Sequence, residues 1–103
     1  MEQETVMKCY TVGHINITNM EGYKAYSAAV PATIAKHGGK YLCRGGDYTL
    51  VEGSMENDRH VVIEWPSRAV AEGWYNSPEY QAIIRHRLDN SSGDLLLVDG
   101  YEG

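Results

Sequence analysis

Runs of β-branched and aromatic residues alternate along this chain with segments whose apolar residues recur every three or four positions. Residues 6–17, Val-Met-Lys-Cys-Tyr-Thr-Val-Gly-His-Ile-Asn-Ile, predict a first strand. Thr18 or Asn19 then offers an N-cap, and Tyr23, Tyr26, Val30, Ile34 and His37 fall on one face of a helix ending near residue 37. Pro31 lies inside that helix, lacks an N–H and predicts a kink. Gly38-Gly39 stops the helix, because glycine reaches left-handed dihedrals freely. A second strand follows over 40–44, then a turn at Gly45-Gly46-Asp47, a further strand or hairpin arm over 48–53 and a polar loop over 54–58. Residues 59–65 predict another strand, ended by Pro66. Ser67 caps a short helix to about residue 75, and Asn76 breaks it. Ser77-Pro78-Glu79 restarts a helix that runs to about residue 88, with a cap, a proline at the first helical position and an acid in the first turn. A loop over 89–93 leads into a last strand over 94–101.

The resulting order is strand, helix, strand pair, strand, helix, strand. It predicts an α+β, ferredoxin-like βαββαβ unit with an antiparallel sheet, occupying residues 1–103 as one domain. Right-handed crossovers put both helices on one face of such a sheet. Were the other face wet, its strands should alternate apolar and polar residues. Val61-Val62-Ile63 and Leu95-Leu96-Leu97-Val98 do not alternate. Both faces of those strands call for burial, and an exposed apolar face of that extent is rare on a monomer. The pattern therefore predicts a homodimer, sheet face to sheet face.

A chain of 103 residues builds a small core, which makes help from a partner subunit matter. The net charge of −5, with nine scattered Lys and Arg, argues against nucleic acid or an anionic membrane as partner. No apolar run is long enough to span a bilayer, and Met1-Glu2-Gln3-Glu4 does not begin like a signal peptide. A cytoplasmic location is the expectation. Cys9 and Cys43 have neither metal-ligand nor redox spacing, and their apolar surroundings predict buried thiols rather than a disulfide. The aromatic usage is unusual, with eight Tyr, two Trp and no Phe. Each tyrosine adds a hydroxyl that wants a partner or water, which points to wet cavities or polar interfaces.

The segments His37-Gly38-Gly39-Lys40-Tyr41-Leu42, Arg44-Gly45-Gly46, Glu52-Gly53, Val62-Ile63-Glu64-Trp65-Pro66-Ser67, Ala71, Trp74-Tyr75, Ser77-Pro78-Glu79-Tyr80, Arg87 and Val98-Asp99-Gly100 together resemble the bacterial family catalogued as domain of unknown function 1330. The resemblance covers nearly the whole chain. It implies a ferredoxin-like fold paired into a dimeric α/β barrel. Similar barrels include small monooxygenases that work without metal or flavin, muconolactone-type isomerases, haem-binding relatives and stress-response proteins without known catalysis. Fold alone does not choose among these. Trp65 stands where the family more often has Phe, a difference of packing.

His37, at a helix C-terminus, is either a general base or ligand-binding imidazole at a pocket mouth, or a cap on the last carbonyls. Arg44, Glu52 and Glu64 are charged residues in predicted strands, where burial is expensive unless they are paired. They form either a polar constellation inside the barrel, with Arg44 as an anion clamp, or structural and interfacial ion pairs. Tyr23 and Tyr26 share the inner helix face, where they line a cavity or pack the core; Tyr75 and Tyr80 raise the same choice. Trp74 reads as core and Ser77 as a cap rather than a nucleophile. The glycine pairs open no helix and so are not phosphate loops. His14, His60 and His86 lack paired ligand spacing, so neither a metal nor another cofactor is expected. The reading is a small organic ligand held between helix layer and sheet by Tyr23, Tyr26, Arg44 and Glu52. His37 and Glu64 are the candidates for cofactor-independent isomerisation or oxygenation. The alternative is a non-catalytic structural or stress-related homodimer whose polar residues only fix the interface.

Overall fold

The computed structural model describes residues 7–101. Val6, read as part of the first strand, and the acidic residues 1–4 lie outside the described residues. The elements are β1 (Cys9–Ile17), α1 (Met20–Lys36), β2 (Lys40–Arg44), β3 (Arg59–Trp65), α2 (Arg68–Tyr75), α3 (Pro78–Gln81), α4 (Ile84–Leu88) and β4 (Ser91–Asp99). The strands form one antiparallel sheet in the order β2-β3-β1-β4. This is the ferredoxin-like α+β arrangement, with each helical crossover leaving a central strand, β1 or β3, and ending on an edge strand, β2 or β4.

Register divides the sheet into two faces. Thr11 sits opposite Ile63 and Leu97, and Gly13 opposite Val61 and Leu95; this set turns toward the helices. Tyr10 sits opposite Glu64 and Val98, Val12 opposite Val62 and Leu96, and His14 opposite His60 and Asp94; this set lies on the far face. The run Val61-Val62-Ile63 is thereby split, with two residues in the core and Val62 behind the sheet. The core centres on stacked aromatics, with Trp74 at 4.9 Å from Trp65 and 4.2 Å from Tyr80 between ring centroids. Each buried indole finds a hydroxyl. Trp65 Nε1 donates to Thr11 Oγ1 at 2.8 Å, and Trp74 Nε1 donates to Thr33 Oγ1 at 3.0 Å. Such pairing removes the cost of burying a donor without an acceptor.

The turn at residues 37–39 follows from two separate demands. Gly38 takes φ 76° and donates to the Ala35 carbonyl, while Gly39 donates to the Ile34 carbonyl, a Schellman end to α1. Gly39 meets a packing limit, since a Cβ there would lie 2.6 Å from Trp65 and 2.7 Å from Ile34.

Several expectations are corrected. Residues 48–53 form no strand: Gly45, at φ 65°, donates the last ladder bond to the His60 carbonyl, and the chain then leaves the sheet. The helix expected over 77–88 is divided into α3 and α4, because the ladder tightens at Ile83 N–H to Tyr80 O and at His86 N–H to Ile83 O. β4 begins at Ser91 rather than at residue 94, since pairing with β1 carries polar Ser91-Ser92-Gly93 into the sheet. Cys9 is buried as expected, but Cys43 is exposed, on an edge strand that nothing among the described residues covers. α1 runs as one element through Pro31.

Candidate functional site

Between α1 and the sheet lies a cavity lined by apolar residues of β1, β3 and β4 and by Tyr23, Tyr26, Tyr41, Arg44, Arg59 and Arg87. The space between its walls is about 450 Å³ counting the open mouth, but only about 30 Å³ admits the centre of a water molecule. The interior is therefore narrow, with room for roughly two ordered waters. Gly13, in the middle of β1, helps keep it open, since a Cβ there would sit 3.1 Å from Leu95 Cδ1.

Each arginine reaches this space by a different local device. Arg44 ends β2 and lies over the Tyr41 ring at 5.0 Å. Its Nη2 donates to the Ser27 carbonyl at 2.7 Å and to Ser27 Oγ at 3.2 Å. That carbonyl is the one Pro31 leaves open, because the missing N–H at 31 would have bonded four residues back. The proline inside α1 thus creates the acceptor that anchors Arg44 at the mouth. Arg59 begins β3, two positions before Val61 on the same sheet face, and lies over the Tyr23 ring at 5.9 Å. Its Nε is buried with no hydrogen-bond partner among the described residues. Arg87 comes from α4, is 8 % exposed, and lies over the Tyr26 ring at 5.9 Å. Its Nε donates to the Tyr80 hydroxyl at 3.4 Å, and Tyr80 is joined to Tyr26 by a 2.8 Å hydroxyl pair.

Electrostatics give the cavity one sign. Burial pushes the Tyr26 phenol far above its ordinary value, and it also raises Tyr23 and Tyr41 against the opposing pull of Arg59 and Arg44. These phenols stay neutral at physiological pH, and guanidinium groups stay charged. No Asp or Glu lines the cavity among the described residues.

Of the residues singled out from the sequence, the structure brings Tyr23, Tyr26 and Arg44 together at this cavity. The other three lie elsewhere. His37 is the C-cap of α1, and its Nε2 is 3.4 Å from Glu79 Oε1. The same carboxylate takes Lys36 Nζ at 2.7 Å. The Lys36 bond, together with the backbone N–H at the start of α3, holds Glu79 down to about 2. His37 therefore clamps α1 to α3. Glu64 is on the far face, bonded to Lys8 Nζ at 3.2 Å and Tyr10 OH at 3.5 Å. Glu52 lies exposed in the segment 45–58. Arg59 and Arg87 were missed as site residues. A partial signal for Arg59 existed, since the period-two pattern puts it on one sheet face with Val61 and Ile63. Among the described residues, no three His, Cys, Asp or Glu side chains converge as a metal site would need.

The family model described as domain of unknown function, DUF1330, matches residues 8–101. The chain belongs to this family. No curated protein matches the sequence of this DUF1330 member. Among solved structures, it is similar to the RPA0582 protein of unknown function from Rhodopseudomonas palustris, with a TM-score of 0.78 and 17% identity over 96% of this chain and 86% of that one. It is also similar to SnoaB, a cofactor-independent oxygenase from Streptomyces nogalater, with a TM-score of 0.65 and 13% identity over 95% and 97% of the two chains. A putative antibiotic biosynthesis monooxygenase from Nitrosomonas europaea aligns with a TM-score of 0.54 and 10% identity, covering 96% and 95%. At these identities the likeness is one of fold.

Proposed function

We propose that this DUF1330 protein binds a small organic molecule in the cavity between α1 and the sheet. The observation that carries the reading is the convergence of three guanidinium groups and three phenol rings on one narrow interior space. A fold that had only to fill its core would place apolar side chains there, because buried polar groups lower stability unless something satisfies them. A concave, mostly apolar space with a few converging polar groups is the usual form of a ligand site. Binding is better supported than catalysis. No carboxylate or imidazole lines the cavity among the described residues, so the proton abstraction that begins an isomerisation or a cofactor-independent oxygenation has no base there. A substrate acidic enough to ionise beside the guanidinium groups would need none. A thermal-shift screen of small acids and aromatic metabolites tests the reading, because a ligand of the native state raises the melting temperature. At least one class should shift it in a concentration-dependent way. A flat response across the screen, with a ligand-free crystal structure in which side chains close the space, would overturn it.

The far face of the sheet supports pairing with a second copy. Leu96 and Val98 on it are 48% and 45% exposed, beside Val12 and Val62. On this face Glu64 bonds Lys8 and Tyr10, and His14 Nδ1 lies 3.0 Å from His60 Nδ1, while His60 Nε2 is buried with no partner among the described residues. This favours the structural reading for Glu64, as a residue that fixes an interface rather than one that acts on a ligand. Light scattering at micromolar concentration should give the mass of a dimer, and a monomer mass would contradict it.

A further inference from the structure

We propose that the cavity selects an anion, namely a small organic acid whose carboxylate is held by the side edge of Arg59 within the positive field of Arg44 and Arg87. This rests on the reading that the cavity binds a small molecule, and it names the chemical class. The distribution of charge carries it. The chain has nine Lys and Arg against fourteen Asp and Glu, yet three of the nine line one cavity that no acid lines among the described residues. Outside the cavity, Lys8, Lys24, Lys36, Arg68 and Arg85 are each paired with a carboxylate, and among the described residues only Lys40 is not. Inside it, none of the three has an acidic partner among the described residues. An acidic protein that matches its surface cations but leaves these three unmatched has kept a place for a negative charge.

Geometry narrows the position. Arg44 spends one nitrogen on the Ser27 carbonyl, and Arg87 directs its Nε to the Tyr80 hydroxyl. Arg59 Nε is buried and has no partner among the described residues. The Nε edge of a guanidinium is one of the two that take a carboxylate in a bidentate pair. The Tyr23 ring beneath Arg59 holds the guanidinium plane in place. Gly45 leaves room for it, since a Cβ at that position would overlap Arg59 Nη1. The narrow interior suits a short acid as it stands. A ring-bearing acid would have to move Arg44, which is exposed, or the partly exposed Tyr41 at the mouth.

The test compares acids with their neutral isosteres: acetate, propanoate and benzoate against acetamide, propanamide and benzamide. Each is titrated by NMR into the full chain, following the Gly13 and Ser27 amides and the arginine Nε–H signals. The acids should bind at least about tenfold more tightly than the amides and shift the Arg59 Nε–H, as a charge-assisted pair demands. Arg59→Met should lose that preference while remaining folded, because it removes a buried donor that has no partner; Arg59→Lys, which keeps the charge without the fork, should retain only part of it. Amides that bind as tightly as acids and shift the same cavity signals would overturn the anion assignment and leave small-molecule binding intact. Cavity signals that respond to neither series would overturn both.

Discussion

Replacing Tyr26 and Tyr80 by the residue this chain never uses, Phe, tests whether its tyrosine hydroxyls hold the cavity wall together. The two hydroxyls pair at 2.8 Å, and Arg87 Nε donates to Tyr80 at 3.4 Å. Tyr26 is 7% exposed and Tyr80 is 0% exposed, so bulk water does not reach either hydroxyl. Tyr26→Phe deletes one hydroxyl but leaves Tyr80 its Arg87 donor, and should cost about 1 kcal/mol. Tyr80→Phe strips the Tyr26 hydroxyl and Arg87 Nε of their partner together. With each orphaned group worth about 1–3 kcal/mol, the loss should be roughly 2–6 kcal/mol. For a domain of this size that is a fall in melting temperature of at least about 10 °C. The double variant should be less destabilised than the two singles added, with a coupling of about 1 kcal/mol, because Tyr26→Phe also removes one of the orphans. Urea unfolding at one fixed protein concentration measures all three. Equal and strictly additive losses would refute the network, and two losses near zero would reduce the hydroxyls to passengers on ordinary core rings.

Four further outcomes are expected. Arg44→Met should cost about 1 kcal/mol in the natural chain and close to nothing in a Pro31→Ala background, where the Ser27 carbonyl regains a helical donor; urea unfolding of the four combinations checks this. Gly39→Ala, whose Cβ would lie 2.6 Å from Trp65, should lose about 1–3 kcal/mol by overpacking, while Gly73→Ala, with nothing within 4 Å, should gain up to about 1 kcal/mol. Glu79 is held down to about 2 in the fold against 4.5 ordinarily, so its contribution is complete above pH 4.5 and is lost as pH falls through about 2. Unfolding followed from pH 5 to pH 2 should therefore fall more steeply for the natural chain than for Glu79→Gln. Leu96→Glu, at a site 48% exposed in a single copy, should convert a dimer to a monomer by light scattering while the fold is kept.

What was legible in the sequence is what local chemistry decides. Asn19, Ser67 and Ser77 each accept a backbone N–H at a helix start, as their types suggested. The period of three and four residues placed Tyr23, Tyr26, Val30 and Ile34 in the core together. What long-range pairing decides was not legible. Tyr48, Leu50 and Val51 look like strand residues, but no neighbouring strand takes them, and all three remain exposed. The pattern put His60, Val62 and Glu64 on one face, without saying that this face lies away from the helices. The site shows the same division. Tyr23 and Tyr26 were visible through helical period and Arg44 through its odd place in a strand. Arg59 meets them only because β3 runs antiparallel to β1 beneath α1, whereas Arg87, seven residues after Tyr80 and on the same helical face as the buried Ile84, was within reach of the period.

The most direct measurement is a crystal structure of the protein grown with propanoate. The expected result is a carboxylate between α1 and the sheet, within hydrogen-bonding distance of Arg59 Nε and close to the guanidinium groups of Arg44 and Arg87. An empty cavity at saturating propanoate, or an Arg59 Nε paired with an acid of the chain itself or of a second copy, would contradict it.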